Sequence, residues 1–311
     1  VVNGKGSSFV SATYILVAGD ARIGNLVATA VGTSITAVVV GDRGVAEAVA
    51  ASGVEKVVWL GDPGATPLEA FAGQVAALTA AARPDLVLAP SRPADLVLAG
   101  AVAARLSAPV YTMASAVRVA DGAVEIDRSV FGGIARETLR IHGPVVVIGD
   151  GGEVGTDGGA PIEEVTGAPA TTISVIETLP PEHAPVDLSK ARRIVSTGRG
   201  LKDQGDLSIT ARLGEALDAE LACSRPLAEG VGWFRRDRYV GVTGQKVTPD
   251  LYVAVGISGQ LQHVVGARGA RVIVVINSDE KCPYFGEADY CVVGDLYELV
   301  PALTAALTEA N

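Results

Sequence analysis

The segment Tyr252–His263, reading Tyr-Val-Ala-Val-Gly-Ile-Ser-Gly-Gln-Leu-Gln-His, narrows the possible folds more than any other. A β-branched apolar run stops at two glycines around a serine, and a helix-compatible stretch with a histidine follows. A strand that turns through glycine directly into a helix belongs to a parallel α/β sheet. The turn also aims unpaired backbone N–H groups outward at the positive end of the helix dipole, which suits a phosphate or pyrophosphate. A plain helix start has nearly the same signature, so both readings stay open on the turn alone.

The same β-then-α rhythm runs through the chain. Thr13–Ala18, Ile35–Val40, Val57–Leu60, Leu86–Ala89 and Val145–Ile148 are short, β-branched and bounded by Gly, Asp or Pro, so strands are expected there. Thr66–Ala82 and Ala94–Leu106 have the length and Ala/Leu content of helices. Val124–Phe131 and Glu137–Ile141 alternate with polar residues and read as extra strands, an antiparallel edge. Asp150–Gly159 is rich in glycine, and Pro180–Pro185 holds three prolines in six residues. Gly151–Leu188 is therefore the expected connector, with a hinge around residues 180–190. The rhythm resumes at Arg193–Ser196, Leu221–Cys223, Val240–Val242, Tyr252–Val255, Val272–Ile276 and Tyr290–Val293. The expected fold is α/β with two domains, residues 1–188 and 189–311. Each is a mostly parallel twisted sheet with helices on both faces, and the C-terminal one is doubly wound.

Composition removes several function classes. The chain has 311 residues, 49% hydrophobic and 19% charged, which suits a globular protein and not a disordered one. A net charge of −10 argues against a general nucleic-acid binder, because phosphate neutralisation needs a basic face. Cys223, Cys282 and Cys291 are odd in number and lack metal-type spacing, so free thiols in a reducing, cytoplasmic compartment and no metal site are expected. Leu26–Gly41 carries no charge but falls short of the about 20 apolar residues of a spanning helix, so no membrane insertion is expected. No signal-like leader is read in the residues ahead of it, which begin at Val1.

In the C-terminal half, polar groups follow each expected strand: Arg199, then Ser224 and Arg225, Thr243, Ser258 and His263, Asn277, and Asp295. The carboxyl ends of parallel strands face one crevice, where ligands bind. Arg225 and His263 there can supply positive charge or donors to a flavin ring, where reduction builds negative charge. Thr243 or Ser224 suits the N5 edge, and Ser258, Gly259 and Gln260 can offer N–H groups to a pyrophosphate. Asp295 suits a ribose hydroxyl, and Asn277 ribityl or phosphate oxygens. Taken singly, each has a plainer reading. His263 reads as a satisfied buried histidine, Arg225 as a surface ion pair, Asp295 as a helix N-cap and Asn277 as a turn residue. Trp59 and Trp233 read as packing residues, and His142 and His183 as solvated. In the first half Asp20, Asp42 and Asp62 also follow strands, but acidic strand ends repel phosphate. That half is expected to support a partner.

With these residues in place the sequence resembles the electron transfer flavoprotein alpha subunit. The resemblance is carried by Ser-Thr-Gly-Arg-Gly-Leu-Lys (196–202), Cys-Ser-Arg-Pro (223–226) and Gly-Val-Thr-Gly (241–244). It continues through residues 249–263, Val-Ile-Asn-Ser-Asp (275–279), and Ala-Asp-Tyr to Gly-Asp-Leu (288–296). It spans residues 192–309 in order and spacing; the N-terminal half matches only in its β/α layout.

The resemblance implies that the C-terminal domain holds FAD. Arg199, Ser224, Arg225, Thr243, Ser258, His263, Asn277 and Asp295 stand where the family's flavin-contacting residues stand. Gly241, Val242, Gly244, Gly259, Gln260, Gln262 and Leu296 complete the cofactor-binding set, and Arg225, His263 and Thr243 tune the redox potential. It further implies an alpha–beta heterodimer whose beta subunit carries AMP or a second FAD. Electrons would pass from a flavoprotein dehydrogenase of the acyl-CoA dehydrogenase type to a quinone reductase or another acceptor, in the cytoplasm or, in a eukaryote, the mitochondrial matrix. The chain is then an electron carrier and not a stand-alone catalyst. Two departures from the pattern stand out: Val242 where Gln is usual, and Gln245 where Lys or Arg is usual. The first removes a hydrogen bond near the ring and shifts the expected flavin potential from the family norm.

Three alternatives share parts of this pattern. In an NADH-dependent electron-bifurcating complex the second flavin and NADH site belong to the beta subunit. An NAD- or thiamine-diphosphate-type α/β enzyme is disfavoured because no acid/base pair or nucleophile surrounds the crevice. A nucleotide-sensing module would bind adenine nucleotide without a redox spectrum.

Overall fold

The computed structural model describes residues 12–30, 32–120, 122–131, 135–156, 158–169, 174–179 and 186–310. Among the described residues of the first unit are fourteen strands and α-helices. They are β1 (Ala12–Ala18), α1 (Gly24–Thr29), β2 (Ser34–Val40), α2 (Arg43–Ala50), β3 (Lys56–Trp59), α3 (Ala72–Ala82), β4 (Leu86–Pro90) and α4 (Pro93–Leu106). After them come β5 (Val110–Tyr111), β6 (Ala114–Ala120), β7 (Ala123–Val130), β8 (Ala135–Ile141), β9 (Val145–Gly149) and β10 (Ile162–Glu164).

Seven of these strands form one sheet in the order β10-β3-β2-β1-β4-β9-β5, with every neighbouring pair parallel. Successive side chains of a strand point to opposite faces, and the packing follows that rule. Ile15, Val17, Ala37 and Val39 enter one apolar cluster, whereas Leu16, Ala18, Val38 and Val40 enter the other. Burial on both faces is why these strands read as continuous apolar runs.

The expected antiparallel edge is a separate sheet. β6, β7 and β8 form a three-stranded antiparallel meander, and Val117, Val124 and Ile126 join the same apolar cluster as Ile15. The meander covers one face of the large sheet instead of extending its rim. The glycine-rich stretch after residue 150 is docked as well. Gly24 N donates to Glu153 O (2.8 Å), Gly158 N donates to Ala51 O (2.8 Å), and β10 pairs with β3.

Two compact units, Val1–Leu179 and Pro180–Asn311, make up the chain. The division falls ahead of residue 188 because the second unit holds the residues leading into it. Leu188 is fully buried in that unit's core, and Val186 N donates to Asp237 Oδ2 (2.9 Å). Pro180–Pro185 and His183 lie outside the described residues, so the expected hinge is described only from Val186 onward.

The second unit runs β11 (Arg193–Thr197), α5 (Leu207–Leu217), β12 (Glu220–Cys223), β13 (Leu251–Val255), α6 (Leu261–Ala267), β14 (Ile273–Asn277), β15 (Tyr290–Val293) and α7 (Leu296–Ala310). Its sheet is wholly parallel in the order β12-β11-β13-β14-β15. Ile194, Tyr252 and Ala254 pack on one face, and Val195, Val253 and Val255 on the other. The expected strand Val240–Val242 is not one of the five. Tyr239 and Val240 make only isolated bridges, to Cys223 and Gln245, because Gln245 N returns to Tyr239 O and closes the segment into a loop. Among the described residues no helix is long and apolar enough to cross a membrane.

Candidate functional site

In the order β12-β11-β13-β14-β15 the chain steps to one side of β11 and then crosses to the other. The crevice at the carboxyl ends of β11 and β13 is the topological switch point. There the two strand ends touch backbone to backbone. Gly198 N donates to Val255 O (2.8 Å) and Gly200 N donates to Gly256 O (3.0 Å). Gly256 adopts φ +63°, and a Cβ on it would lie 2.8 Å from Gly200 Cα, so only glycine fits this crossing.

A cavity of about 610 Å³ opens beside the crossing. Arg199 follows β11, Ser224 and Arg225 follow β12, and Asn277 ends β14; all four line the cavity. Ser258, Gln260, Gln262 and His263 line it from the turn into α6, and Gly241, Val242 and Thr243 from the loop after Tyr239. Segments distant in sequence thus share one wall. Gly259 and Gly244 stand behind it. A Cβ on Gly259 would lie 2.5 Å from Tyr284 Cα, and one on Gly244 would lie 2.3 Å from the Tyr239 ring. Asp295 and Leu296 do not line the cavity. Asp295 Oδ1 accepts from Tyr297 N (2.8 Å) and its carbonyl accepts from Leu299 N (2.9 Å), which starts α7. The Leu296 side chain is core, packed with Leu201 and Val255.

The cavity loop is held from outside. Val242 N donates to Gln262 O (2.8 Å), and Tyr239 Oη donates to the Thr243 carbonyl and lies 3.0 Å from Thr243 Oγ1. Gln245, at the position where the resemblance implies Lys or Arg, is a brace. Its Oε1 accepts from Leu188 N (2.9 Å), and its Nε2 donates to Val186 O (2.6 Å) and to Asp237 O. Val242 itself is half exposed and brings no side-chain hydrogen bond to the cavity. Asn277 has both amide ends engaged: Nδ2 donates to Ile257 O (3.0 Å) and Oδ1 accepts from Asp279 N (3.0 Å).

The charge pattern differs from expectation at His263. The residue is 8% exposed, its Nε2 lies 2.9 Å from Tyr252 Oη, and its Nδ1 is buried against the Val240 backbone. Burial pulls its pKa down to about 4, so the ring is neutral at pH 7 and supplies no positive charge. The same burial keeps the Tyr252 hydroxyl protonated far above its usual range. The cations of the wall are Arg199 and Arg225. Arg225 Nε donates to Glu229 Oε2, and this carboxylate raises the guanidinium's pKa further.

A pH dependence follows from His263. Its ordinary pKa is about 6.5 and its folded value about 4. The unfolded chain therefore takes up a proton first as the pH falls. Its contribution to stability is complete above pH 6.5 and is lost progressively toward pH 4, a loss of about 3 kcal/mol. Urea denaturation at stepped pH should show this acid slope in the second unit, and His263→Phe should flatten it.

Sequence reasoning missed Gly200, Pro226, Tyr239, Val240, Gly256 and Ile257, which also line the cavity. Gly256 was within reach, since it directly follows β13, and Gly200 lies three residues past the end of β11 in the Gly-Arg-Gly turn. Tyr239 carries no local signal that separates it from an ordinary packing residue.

In the first unit the acids after strands have structural partners. Asp20 pairs with Arg22 (2.6 Å) and Arg92 (3.0 Å), and chiefly the hydrogen bond from Arg22 holds its carboxyl well below the usual range. Asp42 caps α2 by accepting from Val45 N, and Asp62 accepts from Gly64 N. Trp59 is buried with its Nε1 donating to Gly41 O, Trp233 is half-buried, and His142 is exposed. Cys223 and Cys282 are buried free thiols, and Cys291 is an exposed one.

Comparison with known proteins covers both units. Residues 187–268 match the family model of the electron transfer flavoprotein FAD-binding domain, and residues 24–177 match that of the electron transfer flavoprotein domain. A putative electron transfer flavoprotein subunit, YdiR of Escherichia coli strain K12, is 40% identical over 77% of this chain and 79% of its own length. Protein FixB of Escherichia coli O81 (strain ED1a) is 41% identical over 79% of this chain and 82% of its own. Protein FixB of Shigella flexneri is 39% identical over 90% and 92% respectively.

Proposed function

The chain belongs to the electron transfer flavoprotein family as an alpha-type subunit with an FAD-binding domain, and on that premise we propose how its residues hold and tune the cofactor. The observation that supports the reading most is the single cavity at the switch point, walled by four strand ends and two arginines. The residues fit FAD. The volume lies within the range of cofactor sites, Arg199 and Arg225 suit a diphosphate and an electron-rich ring, and the first turn of α6 leaves N–H groups without intrahelical acceptors.

Bound FAD supplies reversible uptake of one or two electrons. Ser258, Gly259 and Gln260 offer backbone N–H groups to the diphosphate, with Arg199 as countercharge. Thr243, fixed by Tyr239, or Ser224 would hydrogen-bond the N5 edge, while Gly241, Val242 and Gly244 shape the loop that carries Thr243. Gln262 and Asn277 would orient the ribityl and phosphate oxygens, Leu296 packs behind the wall, and Asp295, exposed outside the cavity, would accept from a ribose hydroxyl of FAD reaching past it. Arg225, in the cavity wall, would face the part of the ring where reduction builds negative charge. His263, neutral, contributes as a hydrogen-bonding ring and not as a cation.

In this reading the chain works in a heterodimer with a beta subunit that carries AMP or a second FAD. It passes electrons from a flavoprotein dehydrogenase to a quinone reductase or another acceptor, in the cytoplasm or the mitochondrial matrix. Co-expression with the beta subunit, followed by cofactor extraction, tests it. A yellow heterodimer with FAD in this chain is expected, and a colourless one that takes up no FAD on reconstitution overturns the reading. Two FADs with bleaching by NADH would instead identify the bifurcating type. Arg225→Ala should lower the flavin potential, cutting the reduced fraction at fixed potential by about tenfold in spectroelectrochemistry. An unchanged potential with FAD bound would remove Arg225 from this role.

A further inference from the structure

Among the described residues, Glu229 is the carboxylate that pairs with an arginine of the cavity wall, and the local chain path places it there. After β12 the chain enters a wide turn, Pro226–Gly230, closed by Val231 N donating to Pro226 O (3.0 Å). Such wide helical turns concentrate at functional sites. Leu227, 1% exposed, anchors the turn against Cys223 and Tyr239. Trp233 N and Phe234 N both donate to Leu227 O, at 2.8 and 3.1 Å, and fold the chain back over the turn. Arg236 thereby reaches the same carboxylate: its Nε lies 3.2 Å from Glu229 Oε1, while Arg225 Nε donates to Oε2. Glu229 is 26% exposed, against 63% for Arg225 and 80% for Arg236. One partly buried carboxylate is shared between a cavity arginine and a solvent arginine.

We propose that Glu229 is a positioning residue that sets the charge of the flavin site: shared between Arg225 and Arg236, it fixes where the Arg225 guanidinium sits and how much of its positive charge a bound ring feels. This rests on reading the cavity as the FAD site. Reduction adds negative charge to the ring, and a nearby guanidinium favours it. A carboxylate on that guanidinium offsets the effect, more strongly once a ligand excludes water from the cavity. Arg236 draws part of the carboxylate's charge away and so restores part of the effect of Arg225.

Two substitutions should therefore move the potential in opposite directions, which a merely structural role would not do. In the heterodimer reconstituted with FAD, Glu229→Gln should raise the reduced-to-oxidised ratio at fixed potential by about tenfold, and Arg236→Gln should lower it by about threefold, with FAD still retained in both. Spectroelectrochemistry reads the ratio, and flavin fluorescence reads FAD retention. A Glu229→Gln protein that holds FAD with an unchanged or lowered ratio overturns the proposal. Should that variant not fold, Arg236→Gln decides, and an unchanged ratio there overturns it. Failure of the unmodified heterodimer to take up FAD would strike the reading of the cavity instead.

Discussion

Replacing Gly256 with valine is expected to lower the unfolding free energy by about 3–5 kcal/mol and to abolish FAD retention. Gly256 has φ +63°, which a β-branched side chain strongly disfavours. Its Cβ would lie 2.8 Å from Gly200 Cα and 3.1 Å from both Gly200 N and Leu296 Cδ2. Two of those neighbours are backbone atoms, so no rotamer change relieves the clash. The Gly200 strand end cannot back away either, because Gly200 N donates to Gly256 O and Gly198 N to Val255 O. The loops that would separate carry Arg199 on one side and Ile257 and Ser258 on the other, all in the cavity wall. Urea denaturation and flavin fluorescence measure the two effects. A variant within about 1 kcal/mol of the parent that still binds FAD would show that the crossing does not hold the site.

Asp95→Leu should destabilise the first unit by about 2–4 kcal/mol while FAD retention in the second persists. Asp95 is fully buried near the end of β1. Its Oδ1 accepts from Ala18 N (2.8 Å), and its Oδ2 accepts from Arg92 Nε (2.6 Å). Removing the carboxylate orphans a buried N–H and leaves Arg92, already with one buried Nη2 unpaired, to Asp20 alone. Partial exposure of Arg92 limits the cost, which is why the lower end of the range is included. Asp95→Asn keeps an acceptor for Ala18 N and should lose about half as much. Thermal or urea unfolding followed by tryptophan emission, in a Trp233→Phe background, reports the first unit through Trp59. An Asp95→Leu protein as stable as the parent would show that this buried pair contributes nothing net.

Much of the architecture was legible because it is encoded locally. Strands buried on both faces must be apolar throughout, so runs such as Ile35–Val40 and Tyr252–Val255 announce themselves. A parallel sheet then forces their carboxyl ends to one side, and that rule alone gathers Arg199, Ser224, Arg225, Ser258 and Asn277 into one crevice. A three-residue apolar run such as Val240–Val242 looks the same in a strand and in a loop; here Gln245 N closes it on Tyr239 O. Alternation in β6–β8 reveals that one face is buried and not against what, so the pattern alone suits a rim as well as the covering meander.

Side-chain pattern and spacing, which are properties of the chain itself, determined the α/β class, the parallel order and the strand ends that carry polar groups. Charge state and partnership were settled only by packing. His263 is neutral because Tyr252 and Tyr284 surround it, and Arg225 is paired because a wide turn brings Glu229 back to it. Burial and close approach arise between segments that no local window contains, and they govern how strongly each charged group acts.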